Sequence, residues 1–156
     1  MNLPAEIAKH VRQVYFGGNW TCVNLKDTLA GVTWEQATTK LYSFNTVATL
    51  VYHINYYADV QAKVLQGDAL TGKDEESFKT PPITSDAEWQ EMLNKTWDKA
   101  NMLADLIMQL PADKLSDTFT DEKYGTYYRN LQGMIEHTHY HLGQIVLIKK
   151  LLAEQP

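Results

Sequence analysis

The stretch EHTHYHLGQI, residues Glu136 to Ile145, carries three of the chain's five histidines within five positions. On a strand His137, His139 and His141 would share one face, because alternate side chains point the same way. On an α-helix only His137 and His141 share a face, about 40° apart around the axis, and His139 points to the other side. The secondary structure of this stretch therefore decides which histidines can act together.

The flanking sequence favours a helix. No proline occurs from Tyr127 to Ala153, and a strand of that length without a turn would be exceptional. Apolar side chains recur at helical spacing on the side of His137 and His141: Met134, Ile145, Ile148 and Leu152. Polar ones fall on the opposite side: Gln132, Glu136, His139 and Lys150. With Thr126 as a suitable N-cap, we predict one long helix that presents an H-x-x-x-H pair to the interior.

The first helix of the chain is predicted to begin near Pro4 and to end at FGGNW, where the Gly17-Gly18 pair requires a turn. The segment 17–32 is then predicted to be a loop. Thr33 to Gln36 has the form of a capping box and predicts a brief helical turn.

A second long helix is predicted from about Asn45 to Gln66, with Asn55, Asp59 and Lys63 on its solvent-facing side. Its inward stripe is Val47, Leu50, Ile54, Tyr57, Ala58, Gln61 and Leu65. The polar segment 67–84 is predicted to be an exposed loop.

The third long helix begins at the capping box Ser85-Asp86-Ala87-Glu88 and ends before Pro111. A connector follows as far as Gly125, where the histidine-bearing helix begins. Four main helices with long connections predict an all-α protein, and the natural architecture is an up-down four-helix bundle. With 156 residues, 44% of them apolar, we expect residues 1–156 to form one domain.

The charge balance excludes some partners. A formal net charge of −5 and the absence of a basic run argue against nucleic acid or an anionic membrane as the partner. The longest uncharged apolar stretch is too short to span a bilayer. The single cysteine, Cys22, cannot form an internal disulfide, and we expect it to be a packed residue of a cytoplasmic protein.

His53 supplies the third candidate ligand. It lies beside the inward stripe of the second long helix, one turn before Tyr57. Catalytic metal sites commonly take three protein ligands and leave a position for water, and a pair at i and i+4 supplies two of them from one helix. The pair alone is weak evidence, and the inward third histidine strengthens it. Histidine suits zinc, copper, nickel and iron alike, so the spacing does not name the metal.

The segment LVYHINYY around His53, followed downstream by HTHYHLGQI, resembles the DinB-like family of metal-binding four-helix bundles. The opening YFGGNWTCVNLKDTL and GVTWEQA is similar to that family as well, so the resemblance covers essentially the whole chain. Its most specific element is H-x-x-x-H-x-G-Q. The resemblance implies an up-down bundle of the DinB-like type with His53, His137 and His141 as ligands of a divalent ion, zinc or nickel, and with water in the remaining positions.

Several neighbours of these histidines are candidates for supporting roles. Gln144, at i+3 from His141, either contacts a ligand or bound water, or serves helix packing alone. Tyr57 and Tyr140 are expected to pack in the core rather than to line a pocket. Trp20 is a candidate cover of the site by analogy with the family. Glu136 lies on the wrong face to act as a general base.

Two other histidines and one apolar strip receive ordinary interpretations. His139 is expected to be solvated or at a subunit contact, and His10 to be a surface or capping residue. A second apolar strip on the last helix either packs on a neighbouring helix or forms a homodimer interface: Ile135, Leu142 and Val146.

Three functions follow from these residues. The first is a metal-dependent hydrolase or thiol S-transferase, in which the ion activates water or a thiol. The resembled family includes thiol-dependent transferases and an isomerase, which implies a small-molecule substrate and a low-molecular-weight thiol as cosubstrate. The second is a non-catalytic, metal-stabilised bundle that acts through protein association. The third is a metal-free bundle with core histidines.

Overall fold

The computed structural model describes residues 2–154. This part of the chain forms seven α-helices: α1 Leu3–Phe16, α2 Leu25–Leu29, α3 Trp34–Thr38, α4 Val47–Leu65, α5 Asp74–Ser77, α6 Asp86–Met108 and α7 Tyr127–Ala153. The connector before α7 contains two short 3-10 helices, Asp113–Ser116 and Glu122–Tyr124. Extended pairing within residues 2–154 is limited to one isolated bridge between Thr118 and Thr126. The predicted all-α class is confirmed.

The four long helices pack around one apolar core. Helix α1 contacts α6 and α7, and α4 contacts the same two helices. The order around the core is therefore α1, α6, α4, α7, with fully buried side chains such as Val14, Ile54, Leu103 and Ile145 between them. The up-down direction of the helices and the single domain over residues 1–156 stay predictions.

Side-chain caps set where the long helices begin. The side chains of four residues each accept a hydrogen bond from a backbone N–H in the first helical turn: Asn2, Thr46, Ser85 and Thr126. The predicted starts are thus close to the observed ones. The predicted capping box of α6 forms only in part. The side chain of Glu88 accepts a hydrogen bond from the backbone N–H of Thr84, at 2.7 Å, rather than from that of the N-cap residue Ser85.

Two predicted loops contain short helices. The segment 17–32 holds α2, which Asn24 caps and which buries Leu25 and Leu29 completely. The segment 67–84 holds the four-residue α5, which lies against α4. Both predictions were wrong because helices of four or five residues show no period that a sequence pattern can reveal.

The side of α4 that was predicted to face solvent is largely buried. Asn55 is only 5% exposed, and its Nδ2 donates to Thr96 Oγ1 of α6 at 2.7 Å. Asp59 is half-buried, and its carboxylate forms an ion pair with Lys99 of α6. The prediction failed for these two residues because α6 packs on that side, whereas Lys63 is exposed as predicted.

The second apolar strip of α7 lies inside the monomer. Ile135 and Leu142 are buried in the core, and Val146 packs against it. This strip therefore packs on neighbouring helices, and its use as a dimer interface is ruled out. The homodimer itself stays a prediction.

The turn after α1 is as predicted, but its cysteine is not. Gly17 and Gly18 have φ of 107° and 90°, values that favour glycine. Cys22 is exposed, with φ of 57°, so the prediction of a packed residue was wrong. Across residues 2–154, none of the helices is apolar over enough of its length to cross a bilayer.

Candidate metal centre

Three histidines meet where α4 packs on α7. His53 comes from α4, and His137 and His141 lie one turn apart on α7. Nε2 of His137 lies 2.9 Å from Nε2 of His53 and 3.1 Å from Nε2 of His141. One ring nitrogen from each residue lies within 4.8 Å of those of the other two. The structure thus brings together the three residues that the sequence singled out.

Hydrogen bonds at Nδ1 of His53 and of His141 fix which nitrogen of each ring carries the proton. Nδ1 of His53 lies 2.8 Å from Oγ of Ser77, whose own proton is donated to the backbone carbonyl of Asp74 at 2.5 Å. Oγ therefore accepts, and His53 donates from Nδ1. His141 likewise has Nδ1 2.7 Å from Gln144 Oε1, which can only accept. Both rings consequently point a lone pair on Nε2 at the centre.

These nitrogens fit a divalent cation. Two nitrogens bound to one ion at about 2.0–2.1 Å lie roughly 2.9–3.4 Å apart for angles of about 90–109° at the ion, and the observed separations are 2.9 Å and 3.1 Å. Without a cation, a proton on Nε2 of His137 could form a good hydrogen bond with only one of two lone pairs, that on Nε2 of His53 or that on Nε2 of His141. A cation binds all three lone pairs at once.

Burial keeps the imidazoles neutral. Burial, with the neighbouring His141, lowers the pKa of His53 to about 4. Burial, followed by the proximity of His141 and His53, lowers the pKa of His137 to about 4. Burial also lowers the pKa of His141. At pH 7 all three rings are therefore in the form that binds metal ions.

The segment that follows α4 covers one side of the centre. Phe78 stacks on His53, with ring centroids 4.2 Å apart and planes 24° apart. Tyr57 stands edge-on to His53 and His137, at 5.1 Å and 5.0 Å. Its hydroxyl donates to Asp74 at 2.8 Å, and burial together with this hydrogen bond raises the pKa of Tyr57 to about 12.

Sequence reasoning missed Ser77, Phe78 and Asp74 because they fall in a segment predicted to be a plain loop. The one signal for a helix there is the acidic run 74–76, which suits a first helical turn. Of the two roles that the sequence allowed for Gln144, the structure shows the contact with His141. Helix α5 is thus the part of the site that the sequence did not reveal.

The predictions for two tyrosines, one tryptophan and one glutamate near the site were right in part. Tyr57 packs against the core as predicted and also lines the site. Tyr140 is exposed beside His141, so the prediction that it packs in the core was wrong. Trp20 does not cover the site: it is 97% exposed and borders a depression next to His10. Glu136 is exposed on the face away from the histidines, as predicted.

His139 makes a contact within the monomer. Its ring lies 6.0 Å from that of His10 on α1, and both residues are half-buried. Burial, and then His10, lower the pKa of His139. The prediction that His139 is solvated was therefore wrong, and its place at a subunit contact stays a prediction. His10 packs against His139 rather than serving as a cap.

The comparisons with known proteins identify one family. A family model described as the DinB superfamily matches residues 18–145, which include all three clustered histidines and more than half of the chain. No curated protein and no solved structure matches the chain significantly.

Proposed function

The chain belongs to the DinB superfamily, and we propose that it is a metal-dependent hydrolase or thiol S-transferase that holds its ion with His53, His137 and His141. The observation that carries this proposal is the convergence of the three Nε2 atoms, two of them separated from the third by 2.9 Å and 3.1 Å. Zinc or nickel suits a donor set of three neutral imidazoles.

An open site supports catalysis over a purely structural role. Structural zinc sites are usually closed by four protein ligands, and catalytic ones keep a position free. Within residues 2–154 the group of possible metal ligands at this centre consists of the three histidines. His137 is only half-buried, so the centre lies near the protein surface. The core between α4 and α7 joins these helices by apolar contacts that need no metal.

The protein residues hold the ligands in position for this chemistry. A divalent ion bound there would lower the pKa of a bound water or thiol and supply a nucleophile at neutral pH. Ser77 and Gln144 fix the ring orientation of His53 and His141 through their Nδ1 protons. Phe78 covers one face of His53 and keeps water from that side. The small-molecule substrate and the low-molecular-weight thiol follow from family resemblance alone.

Elemental analysis of the purified protein tests the ligand set. We expect about one divalent ion per chain in the native protein and its loss in His141→Ala. His139→Ala is the matched control, because it removes a histidine from the same helix outside the cluster and should keep the ion. Unchanged metal content in His141→Ala would refute the proposed site.

Activity measurements then separate the two uses of the metal. For an enzyme, removal of the ion by a chelator abolishes turnover of an activated ester or a thiol adduct, while the far-ultraviolet circular dichroism of the bundle persists. If chelation instead unfolds the bundle and the loaded protein turns over neither compound, the metal-stabilised, non-catalytic alternative is correct.

A further inference from the structure

A pocket lies between α4 and α7, and Gln144, which contacts His141, is part of its lining. Its volume is about 330 Å³, within the range of small-molecule sites and near its lower end. The apolar walls are Phe44, Leu50, Leu147 and Ile148, and the polar residues Ser43, Asn45 and Gln144 complete the lining. The lining contains no charged side chain. The buried part of a ligand that enters this pocket is therefore uncharged and largely apolar, since a charge would lose its hydration there without a partner.

The pocket begins one helical turn from the candidate metal centre. On α4, Leu50 precedes His53 by three residues, and on α7, Gln144 follows His141 by three. One turn of helix is about 5.4 Å, a distance that a small molecule spans easily. A small molecule is therefore long enough to extend from the apolar walls past Gln144 to the histidines.

Gln144 connects the two places chemically. Its Oε1 accepts the Nδ1 proton of His141 at 2.7 Å. Its Nε2 has no partner among the side chains and backbone of residues 2–154, and it is not sealed from solvent. Two N–H groups of the amide are thus free to donate to an oxygen at the entrance of the pocket.

We propose that this pocket binds the apolar chain of an acyl substrate. The carbonyl oxygen of the substrate accepts a hydrogen bond from Nε2 of Gln144, and its reacting group lies at the three histidines. The chain packs between Phe44, Leu147 and Ile148. The inference rests on the proposed function, because the reacting group must meet the metal centre. It adds the substrate class: an uncharged acyl compound with an aliphatic or aromatic tail.

Alkyl hydroxamic acids of increasing length test the pocket by binding alone. The hydroxamate group chelates a metal ion with open positions, and the tail then extends toward the pocket. Dissociation constants of acetohydroxamic, butyrohydroxamic, hexanohydroxamic and octanohydroxamic acid are measured by calorimetry on the metal-loaded protein. Each fully buried methylene tightens binding about fourfold. Because the first carbons only span the turn, we expect octanohydroxamic acid to bind at least about tenfold more tightly than acetohydroxamic acid.

Substitutions in the wall assign the gain to this pocket. Leu147→Gln and Phe44→Gln should each remove most of the gain with chain length and leave the affinity for acetohydroxamic acid unchanged. Both side chains are 44–53% exposed, so the substitutions leave the core intact. Met108→Gln is the matched control: Met108 is 49% exposed on α6, outside the pocket, and the gain should survive there.

The outcomes distinguish this inference from the proposed function. If acetohydroxamic acid fails to bind the metal-loaded protein, the open metal site is wrong, and the substrate assignment falls with it. If acetohydroxamic acid binds but a longer chain gives no gain, the metal site stands and the pocket is refuted as the tail site. Survival of the full gain in both Leu147→Gln and Phe44→Gln likewise refutes it.

Discussion

Replacing Ser77 by alanine removes the oxygen that accepts the Nδ1 proton of His53 at 2.8 Å. Ser77 is fully buried and His53 is 4% exposed, so water does not readily take the place of the hydroxyl. The consequence differs between the two states of the site. Without metal, no bond to an ion holds the His53 ring, so the ring can turn its Nδ1–H toward another acceptor. With metal, Nε2 is occupied, and the proton must stay on an unpartnered Nδ1.

The magnitude follows from that difference. A buried donor without a partner costs about 1–3 kcal/mol, and in Ser77→Ala this cost falls mainly on the metal-bound state. Each 1.4 kcal/mol is a factor of ten in a binding constant. We therefore expect metal affinity to fall about 5- to 150-fold. The metal-free variant should lose only about 1 kcal/mol of unfolding free energy, for the lost hydrogen bond to Asp74.

The assay is competition with a chromophoric chelator at pH 7.5, with urea unfolding of the metal-free protein beside it. Ser116→Ala is the control, because Ser116 is exposed and lies in the connector before α7. An affinity within twofold of the native value for Ser77→Ala would refute the protonation assigned to His53. A loss of affinity matched by an equal loss of metal-free stability would also refute it, since the cost would then not depend on the metal.

Three further outcomes are expected. Gln144→Leu removes the acceptor of the His141 Nδ1 proton and should weaken metal binding about tenfold in the chelator competition. This loss lies in the lower part of the range for such partners, because Gln144 is only half-buried and water can replace its oxygen. The unfolding free energy of the metal-free protein should fall as pH drops from about 6.5 toward 4, because histidines of the unfolded chain take up protons before His53 and His137, whose folded-state pKa values are about 4. Urea unfolding across this pH range measures the fall, which should be shallower in a variant without His137. Tyr57→Phe keeps the ring against the histidines and loses one exposed hydrogen bond, so metal affinity should change less than about threefold.

The sequence predicted the histidine-bearing helices well because their signals are local. Thr126 caps α7 as expected, and the spacing of four residues places His137 and His141 on one face. The side of α4 that carries His53 was also assigned correctly, since its apolar neighbours repeat over many turns. Long helices with a strong period and a cap are specified by residues within a few positions of one another.

The remainder depends on contacts between distant residues. Asn55 was predicted to face solvent because it lies outside the apolar stripe of its helix, and its burial depends on Thr96, 41 residues away in sequence. Helix α5 is too short to be stable alone. It is held by α4, where the hydroxyl of Tyr56 accepts the backbone N–H of Lys73 at 2.7 Å. No local pattern encodes either arrangement.

This dependence of α5 on tertiary contacts links it to the metal centre. The support of His141 is local, since Gln144 lies on the same helix, whereas the support of His53 comes from Ser77 on a separate short segment. Binding equilibria are reciprocal, so the free energy that Ser77 contributes to metal binding is the same free energy by which the metal favours the docked position of α5. A bound ion should therefore order α5 and Phe78 over His53, and the cover of the site should be most firmly in place when the site is loaded.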